Sequence, residues 1–188
     1  MTETHQLRDT DIASIRQRLD RPVVLVGLMG AGKTTVGRRL ANILGAGFID
    51  ADEEIERAAQ RTVGEIFEAF GEAYFRDGER RVIARLMEER HGVIATGGGA
   101  FVNRQTRELI LEKGLAVWLD CDIDTLVERT ARRNTRPLLE QGDPHTILTT
   151  LHQERSPAYS HAPIRVRTDN GPHNRTVNRI LEAIDAWL

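Results

Sequence analysis

Gly27-Leu28-Met29-Gly30-Ala31-Gly32-Lys33-Thr34 is the stretch that most directly indicates the fold of this chain. It follows the pattern of a phosphate-binding loop: glycine, four residues, glycine, lysine, then serine or threonine. The apolar run Val23-Val24-Leu25-Val26 before it is typical of a buried parallel strand. After it, apolar residues recur at helical spacing: Val36, Leu40, Ile43 and Leu44. In this strand, loop and helix setting, backbone N–H groups and a helix N-terminus face an anion.

The loop therefore predicts a site for nucleotide phosphates and magnesium. Lys33 would place a positive charge on the outer phosphates, and Thr34 would hold the ion. The alternative is a chance match in a glycine turn, which is disfavoured because both flanks also fit. Lys33 is one of only two lysines among 26 Lys and Arg residues, the other being Lys113.

Composition bounds the class of protein. With 188 residues, of which 40% are hydrophobic and 29% charged, the chain is expected to form one ordinary globular domain. Its net charge of −2 lacks the basic surplus of a nucleic-acid-binding protein. The single cysteine, Cys121, excludes an intramolecular disulfide and fits a reducing compartment. No apolar run approaches the ~20 residues of a membrane span, and the first residues do not resemble a secretory signal. We expect a cytoplasmic protein with neither a nucleic-acid nor a membrane partner.

Strand and helix patterns alternate along the chain, which predicts an α/β fold with helices on both faces of a parallel sheet. The five candidate strands are Val23–Val26, Phe48–Ile49, Val93–Thr96, Leu115–Leu119 and Ile164–Val166. In residues 1–21, which precede the first strand, Ile12, Ile15 and Leu19 suggest a helix. Packing of this helix on the domain is the favoured interpretation, and a segment that docks a partner is the alternative.

Three helices are predicted between the second and third strands. The first spans Glu53 to Gln60. The second starts at a capping box, Thr62-Val63-Gly64-Glu65, has Ile66, Phe67 and Phe70 as its apolar face, and ends at Gly71. The third runs from Glu72 to about Arg90 and carries Arg76 and Glu79, for which a surface ion pair of little energetic value is the simplest interpretation.

Carboxylates at strand ends are candidates for the site. Asp50 and Asp52 follow the second strand and would share one face of an extended segment. One could serve magnesium and the other a substrate hydroxyl, although Asp52-Glu53-Glu54 also suits the first turn of a helix. Asp120 ends the apolar run Ala116–Leu119, as in a Walker-B strand, and competes with Asp50 for the magnesium role. The pattern alone leaves that choice open.

Glycines and arginines supply the remaining candidates. Gly97-Gly98-Gly99 ends a strand and would allow close approach of a ligand, with a flexible turn as the alternative. Residues of about 131–144 are basic and then rich in Pro and Gly, which is typical of a lid over phosphates; a solvated loop is the alternative. Arg76, Arg136 and Arg155, together with Asp52, would suit a small acceptor that carries an anion and hydroxyls.

Six motifs in order resemble those of the shikimate kinase family, and the resemblance covers residues 22–188. They are Gly-Leu-Met-Gly-Ala-Gly-Lys-Thr at 27–34, Phe-Ile-Asp-Ala-Asp at 48–52, Phe-Arg-Asp-Gly-Glu at 75–79, Gly-Gly-Gly-Ala at 97–100, Arg-Pro-Leu-Leu at 136–139 and Arg-Ser-Pro-Ala-Tyr at 155–159. Only the first is widespread among phosphate-loop proteins. The resemblance implies a single domain, 1–188, with a three-layer α/β/α fold around a five-stranded parallel sheet, like the nucleoside-monophosphate kinases. It also implies an acceptor-binding region at about 50–90.

The resemblance further implies an activity and its participants. ATP would phosphorylate the 3-hydroxyl of shikimate, a step of aromatic amino-acid synthesis, with Mg²⁺ as cofactor and a monomeric enzyme. The residues implied to bind ATP are Gly30, Ala31, Gly32, Lys33, Thr34, Thr35, Arg129 and Arg136. Arg129 would flank adenine, and Arg136 on the lid would join Lys33 in neutralising phosphate charge. The turn at 169–173 matches only loosely, so no contact with the base is assigned there.

The implied acceptor site draws on separate segments. Asp52 would orient or deprotonate the hydroxyl, Arg76 and Arg155 would grip the carboxylate, and the backbone of Gly98 and Gly99 would contact the substrate. Glu79 would help to hold this site together. Thr34 and Asp50 would serve magnesium, which would leave Asp120 a structural role. The alternatives are a gluconate-type kinase, which the Asp52, Arg76 and Arg155 set disfavours, and a nucleotide-binding regulatory module without catalysis.

Overall fold

The computed structural model describes residues 9–89, 92–131 and 142–188 of the chain. They form a three-layer α/β/α domain around a five-stranded parallel sheet, which confirms the predicted fold class. The strands are β1 (Val23–Val26), β2 (Phe48–Asp50), β3 (Val93–Ala95), β4 (Leu115–Cys121) and β5 (Ile164–Thr168). The described helices are α1 (Asp9–Arg18), α2 (Lys33–Leu44), α3 (Ala51–Ala59), α4 (Val63–Glu88), α5 (Arg104–Lys113), α6 (Ile123–Ala131), α7 (Pro144–Tyr159) and α8 (His173–Trp187).

The strand order β2-β3-β1-β4-β5 places β1 at the centre of the sheet. Val23 pairs with Val93 of β3 on one side and with Leu115 of β4 on the other. All four residues of β1 are fully buried, as its uninterrupted apolar sequence predicts. Because the strands are parallel, the segments that follow β1, β2 and β3 leave the sheet at the same edge, where α/β proteins bind ligands.

The helix after β2 starts earlier than the sequence pattern suggests. It begins at Ala51, so the prediction that Asp50 and Asp52 share the face of an extended segment is wrong. Asp50 is the N-cap, and its Oδ1 accepts a hydrogen bond of 3.0 Å from the backbone N–H of Asp52. Asp52, Glu53 and Glu54 occupy the first helical turn, where negative charge is favourable.

Helix α4 joins two of the predicted helices across a break at Gly71. The capping box at Thr62 is present, and Gly71 has φ 80°, outside helical geometry. The prediction that Phe70 belongs to the buried face is wrong, because its side chain is 50% exposed, whereas Ile66 is buried. Phe70 lies at the break and stacks on Tyr74 instead of on the core.

Helix α1 packs on the domain as the favoured interpretation expects. Ile15 is fully buried, and the guanidinium of Arg16 donates to the carbonyl of Ile43 near the end of α2. Arg18 forms an ion pair with Asp185 of α8. None of the described helices is both long enough and apolar enough to cross a membrane.

Candidate active site

The phosphate loop follows the central strand and has a backbone that only glycine adopts readily. Gly27, Gly30 and Gly32 have φ values of 138°, 82° and 93°. A Cβ on Gly27 would also lie 2.6 Å from the carbonyl oxygen of Leu119. The Nζ of Lys33 donates to the carbonyls of Gly27 and Leu28, at 2.7 Å and 2.8 Å. The ammonium group is therefore held across the loop, at the N-terminus of α2.

Thr34 and Asp50 bring two oxygen ligands together beside the loop. The hydroxyl of Thr34 donates to Oδ2 of Asp50 over 2.7 Å, while Oδ1 of Asp50 caps α3. Mg²⁺ prefers hard oxygen ligands and commonly takes only one or two from protein, the rest being water and phosphate oxygens. The hydroxyl and carboxylate present here fit that ion.

Asp52 carries a half-buried carboxylate in the first turn of α3. Burial, and secondarily the negative charge of Asp50, raise the pKa of Asp52, while Lys33 and Arg76 act in the opposite direction. A Cβ on Gly97 would lie 2.7 Å from Oδ1 of Asp52. The carboxylate can approach the end of β3 this closely because residue 97 is glycine.

Two arginines approach the next two glycines of the same turn. A Cβ on Gly98 would lie 3.1 Å from Nη1 of Arg155, and one on Gly99 would clash with Nη2 of Arg76. The turn thus faces one carboxylate and two guanidinium groups through three consecutive glycines. Arg76, Gly99 and Arg155 also line a cavity of about 650 Å³. Its other lining residues are Glu72, Ala73, Asp77, Val102, Asn103 and Gln105.

Glu79 supports one of these arginines from inside the domain. Its side chain is 1% exposed, and its Oε2 accepts a hydrogen bond of 2.6 Å from Nη1 of Arg76. Burial raises the pKa of Glu79 to about 7, although the pairing with Arg76 lowers it. The interpretation as a surface ion pair is therefore excluded, because the carboxylate of Glu79 is buried and, of the two residues, only Arg76 lines the cavity.

Arg129 lies next to the phosphate loop. It donates to the carbonyl of Asp169 at 2.8 Å and more weakly to those of Gly30 and Ala31, at 3.4 Å and 3.5 Å. A Cβ on Gly32 would lie 3.8 Å from the ring of His173. The turn at 169–173 therefore lies next to the loop, although its sequence resembles the family pattern only loosely.

Asp120 contacts Arg165 and His152, and none of its hydrogen bonds in the described residues is to Thr34. Its Oδ2 accepts hydrogen bonds from Arg165 at 2.6 Å and 3.0 Å, and its Oδ1 lies 3.1 Å from Nε2 of His152. Asp50, by contrast, contacts the hydroxyl of Thr34. This geometry favours Asp50 for the metal role and a structural role for Asp120.

The predicted site and the described residues differ in two respects. Arg136 and most of the predicted lid, about 131–144, lie outside the described residues. Tyr159 was not among the predicted site residues, yet its hydroxyl donates to the carbonyl of Gly98 over 2.5 Å. Its position four residues after Arg155, in the motif Arg-Ser-Pro-Ala-Tyr, was the available sequence signal.

The fold and site define a phosphate-loop kinase of the nucleoside-monophosphate-kinase-like class. The family model described as shikimate kinase matches residues 29–185. A shikimate kinase from Novosphingobium aromaticivorans is 57% identical, over 97% of this chain and 96% of the relative. One from Caulobacter vibrioides is 50% identical, over 98% of each. The chain belongs to the shikimate kinase family, as its motifs predict.

Solved structures agree with this assignment. The shikimate kinase from Acinetobacter baumannii in complex with shikimate superposes with a TM-score of 0.84 and 38% identity, covering 94% of this chain and 98% of that chain. A gluconokinase from Sinorhizobium meliloti superposes with a TM-score of 0.58 at 19% identity, which indicates a shared fold alone. The gluconate-type alternative is therefore not favoured.

Proposed function

We propose that this chain transfers the terminal phosphoryl group of ATP to the 3-hydroxyl of shikimate, with the residue roles that follow. The observation that carries the proposal is the turn at 97–99, whose three glycines face Asp52, Arg155 and Arg76. Shikimate combines a carboxylate with ring hydroxyls, which is the chemistry that two guanidinium groups and a carboxylate complement.

On the donor side, the loop at 27–34 binds the phosphates with its backbone N–H groups and the N-terminus of α2. Lys33 is held over the loop by two carbonyls and neutralises charge on the outer phosphates. Thr34 and Asp50 hold Mg²⁺ together with water, and the ion neutralises charge on the phosphates when bound. Arg129 flanks the adenine, and Arg136 adds positive charge from the lid.

On the acceptor side, Arg76 and Arg155 bind the carboxylate and thereby fix the ring. The backbone of Gly98 and Gly99 contacts the substrate. Asp52 then meets the hydroxyl that is phosphorylated, as base or as orienting group. Its raised pKa suits proton acceptance, because burial makes the carboxylate more basic than one in water. Positioning and charge neutralisation supply most of the rate of phosphoryl transfer, which matches this sparse set of groups.

We further propose that the enzyme works as a cytoplasmic monomer. Its cysteine, Cys121, is buried and free, which fits a reducing compartment.

A coupled ADP-release assay with an acceptor panel tests the proposal. We expect turnover that requires Mg²⁺ and shikimate, with gluconate supporting little or none. Robust turnover on gluconate without shikimate-dependent turnover would refute the assignment. ATP binding with no turnover on any acceptor would instead support the regulatory module considered above.

A further inference from the structure

Tyr159 is a residue of helix α7 whose side chain contacts the glycine turn at 97–99. The proposed function assigns no role to it. It is the last residue of α7 and is fully buried, with its ring 5.7 Å from that of Trp118 on β4. Its hydroxyl donates to the carbonyl of Gly98 over 2.5 Å. The packing fixes the ring, and the hydrogen bond fixes the backbone of the turn.

The carbonyl that Tyr159 binds is the middle one of the glycine turn. The carbonyl of Gly97 accepts from Ala100 N–H, and that of Gly99 accepts from Val102 and Asn103 N–H. These hydrogen bonds all lie within residues 97–103. The carbonyl of Gly98 is instead oriented by the tyrosine on α7. Since this peptide is trans and planar, fixing its carbonyl also fixes the direction of the Gly99 N–H, which points the opposite way.

Arg155 belongs to the same arrangement. It lies one turn before Tyr159 on α7, and its positive charge acts to lower the pKa of the phenol. It is also the group that a Cβ on Gly98 would approach within 3.1 Å. Burial raises the pKa of Tyr159 to about 12, although Arg155 lowers it, so the hydroxyl keeps its proton at neutral pH. The protonated phenol therefore donates to the carbonyl of Gly98.

We propose that Tyr159 is a positioning residue for the acceptor, which holds the Gly98–Gly99 peptide and the guanidinium of Arg155 in the spacing that binds shikimate. This inference rests on the proposed function, because Arg155 and Gly98 are assigned there to the acceptor. Tyr159 itself contacts neither reacting group. Its loss should therefore weaken acceptor binding much more than donor binding.

The test compares Tyr159→Phe with Tyr74→Phe. The chain has two tyrosines, and Tyr74 is 60% exposed on α4. The two substitutions therefore remove a phenol hydroxyl from a buried position and from an exposed position. We expect Tyr159→Phe to raise KM for shikimate roughly tenfold, the effect of losing one well-aligned hydrogen bond, with KM for ATP unchanged. Tyr74→Phe should leave both constants at wild-type values. An unchanged KM for shikimate, or equal rises in both KM values, would overturn the inference.

A double-mutant cycle with Arg155→Lys separates positioning from general destabilisation. If Tyr159 acts by aligning the guanidinium, its removal should raise KM for shikimate much less in the Arg155→Lys background than in wild type. Fully additive effects would contradict this coupling. Wild-type protein without any shikimate-dependent turnover would be a failure of the proposed function, which is a different outcome.

If Tyr159→Phe does not fold, the inference can still be tested on protein that retains Tyr159. Protein labelled with 3-fluorotyrosine should give two ¹⁹F resonances, assigned with Tyr74→Phe. Shikimate should shift the Tyr159 resonance much more than that of Tyr74. A Tyr159 resonance insensitive to saturating shikimate would overturn the inference.

Discussion

Asp52 illustrates how a residue with a proposed catalytic role can oppose stability. Its carboxylate is placed near Asp50 and withdrawn from water, and both effects raise its pKa above the value in the unfolded chain. A carboxyl group with a raised folded pKa stabilises the folded state at low pH and loses that contribution as the pH rises through the folded pKa. At neutral pH, therefore, ionised Asp52 makes folding less favourable than a neutral group would.

Asp52→Asn should separate these two effects. We expect kcat to fall by about 10² to 10⁴, the range for loss of a general base, while the free energy of unfolding at pH 7 does not fall. Steady-state kinetics and urea denaturation measure the two quantities. Glu53→Gln, at the exposed neighbour on the same helical turn, is the matched control for the kinetics and should leave kcat unchanged. Near-wild-type turnover by Asp52→Asn would exclude a role as base or orienting group.

Glu79 predicts a pH dependence of stability. The pKa of Glu79 rises from 4.5 to about 7 on folding, so the folded protein keeps a proton that the unfolded chain releases above pH about 4.5. Its contribution to stability is therefore present below pH about 4.5 and is lost as the pH rises towards and through 7.

Glu79→Gln removes this titration. Between pH 5 and pH 8, the free energy of unfolding of the wild type should fall relative to that of the variant, as measured by urea denaturation at both values. Glu68→Gln, at an exposed position on the same helix, should follow the wild type. A wild-type curve parallel to that of Glu79→Gln would show that this carboxyl is already ionised at pH 5.

The sequence predicts which residues of the phosphate-loop region lie together. It does not predict how deeply the neighbouring side chains are buried. Lys33, Thr34 and Asp50 lie together because a phosphate loop and an adjacent strand end have a fixed relation in α/β folds. The burial of Glu79 could not be predicted, because a spacing of three residues on a helix is equally compatible with a surface ion pair. The motif that contains Arg155 also contains Tyr159, but the sequence does not show that the tyrosine hydroxyl binds the carbonyl of Gly98.

At the scale of elements, helix α4 is interrupted at a single glycine, Gly71. Gly71 has φ 80°, and a Cβ there would have no atom within 4 Å, so a side chain would be opposed by backbone strain alone. Gly78 also has open space around its Cβ position but lies in regular helix. The two positions therefore differ in backbone conformation and not in packing.

The same substitution should have opposite effects at these two positions. Gly71→Ala should lower the free energy of unfolding by about 1–3 kcal/mol, because its φ of 80° and ψ of 174° lie in a region that is nearly restricted to glycine. Gly78→Ala should raise it by about 0.5–1 kcal/mol through helix propensity. Urea denaturation of both variants measures these changes. Stabilisation by Gly71→Ala would mean that the two halves of α4 can form one continuous helix.

The boundaries of elements were less predictable than their order. The strands and helices occur in the predicted order, since apolar runs and helical periodicity reflect burial directly. The start of α3 at Ala51 was not predicted, because Asp50 fits both a strand end and an N-cap. Phe70 was assigned to the core by periodicity, although the break at Gly71 leaves it exposed.

At the scale of the whole molecule, the proposed sites for the donor and the acceptor lie on separate parts of the fold. In the proposed mechanism, the loop at 27–34 and Arg129 face the nucleotide, whereas α3, α4, α7 and the turn at 97–99 supply the acceptor groups. A phosphate loop by itself is shared by switches, motors and kinases. In the proposal, the acceptor is specified by Asp52, Arg76 and Arg155, which meet at the turn of residues 97–99.

The central claim is that two arginines select an acceptor that carries a carboxylate. The most direct test compares kcat/KM for shikimate with that for shikimate carboxamide, which keeps the ring and hydroxyls but lacks the charge. We predict a loss of roughly hundredfold or more for the carboxamide, since hydrogen bonds to charged groups contribute about 1.5–3 kcal/mol each. Equal kcat/KM values for the two acceptors would contradict the assignment of Arg76 and Arg155.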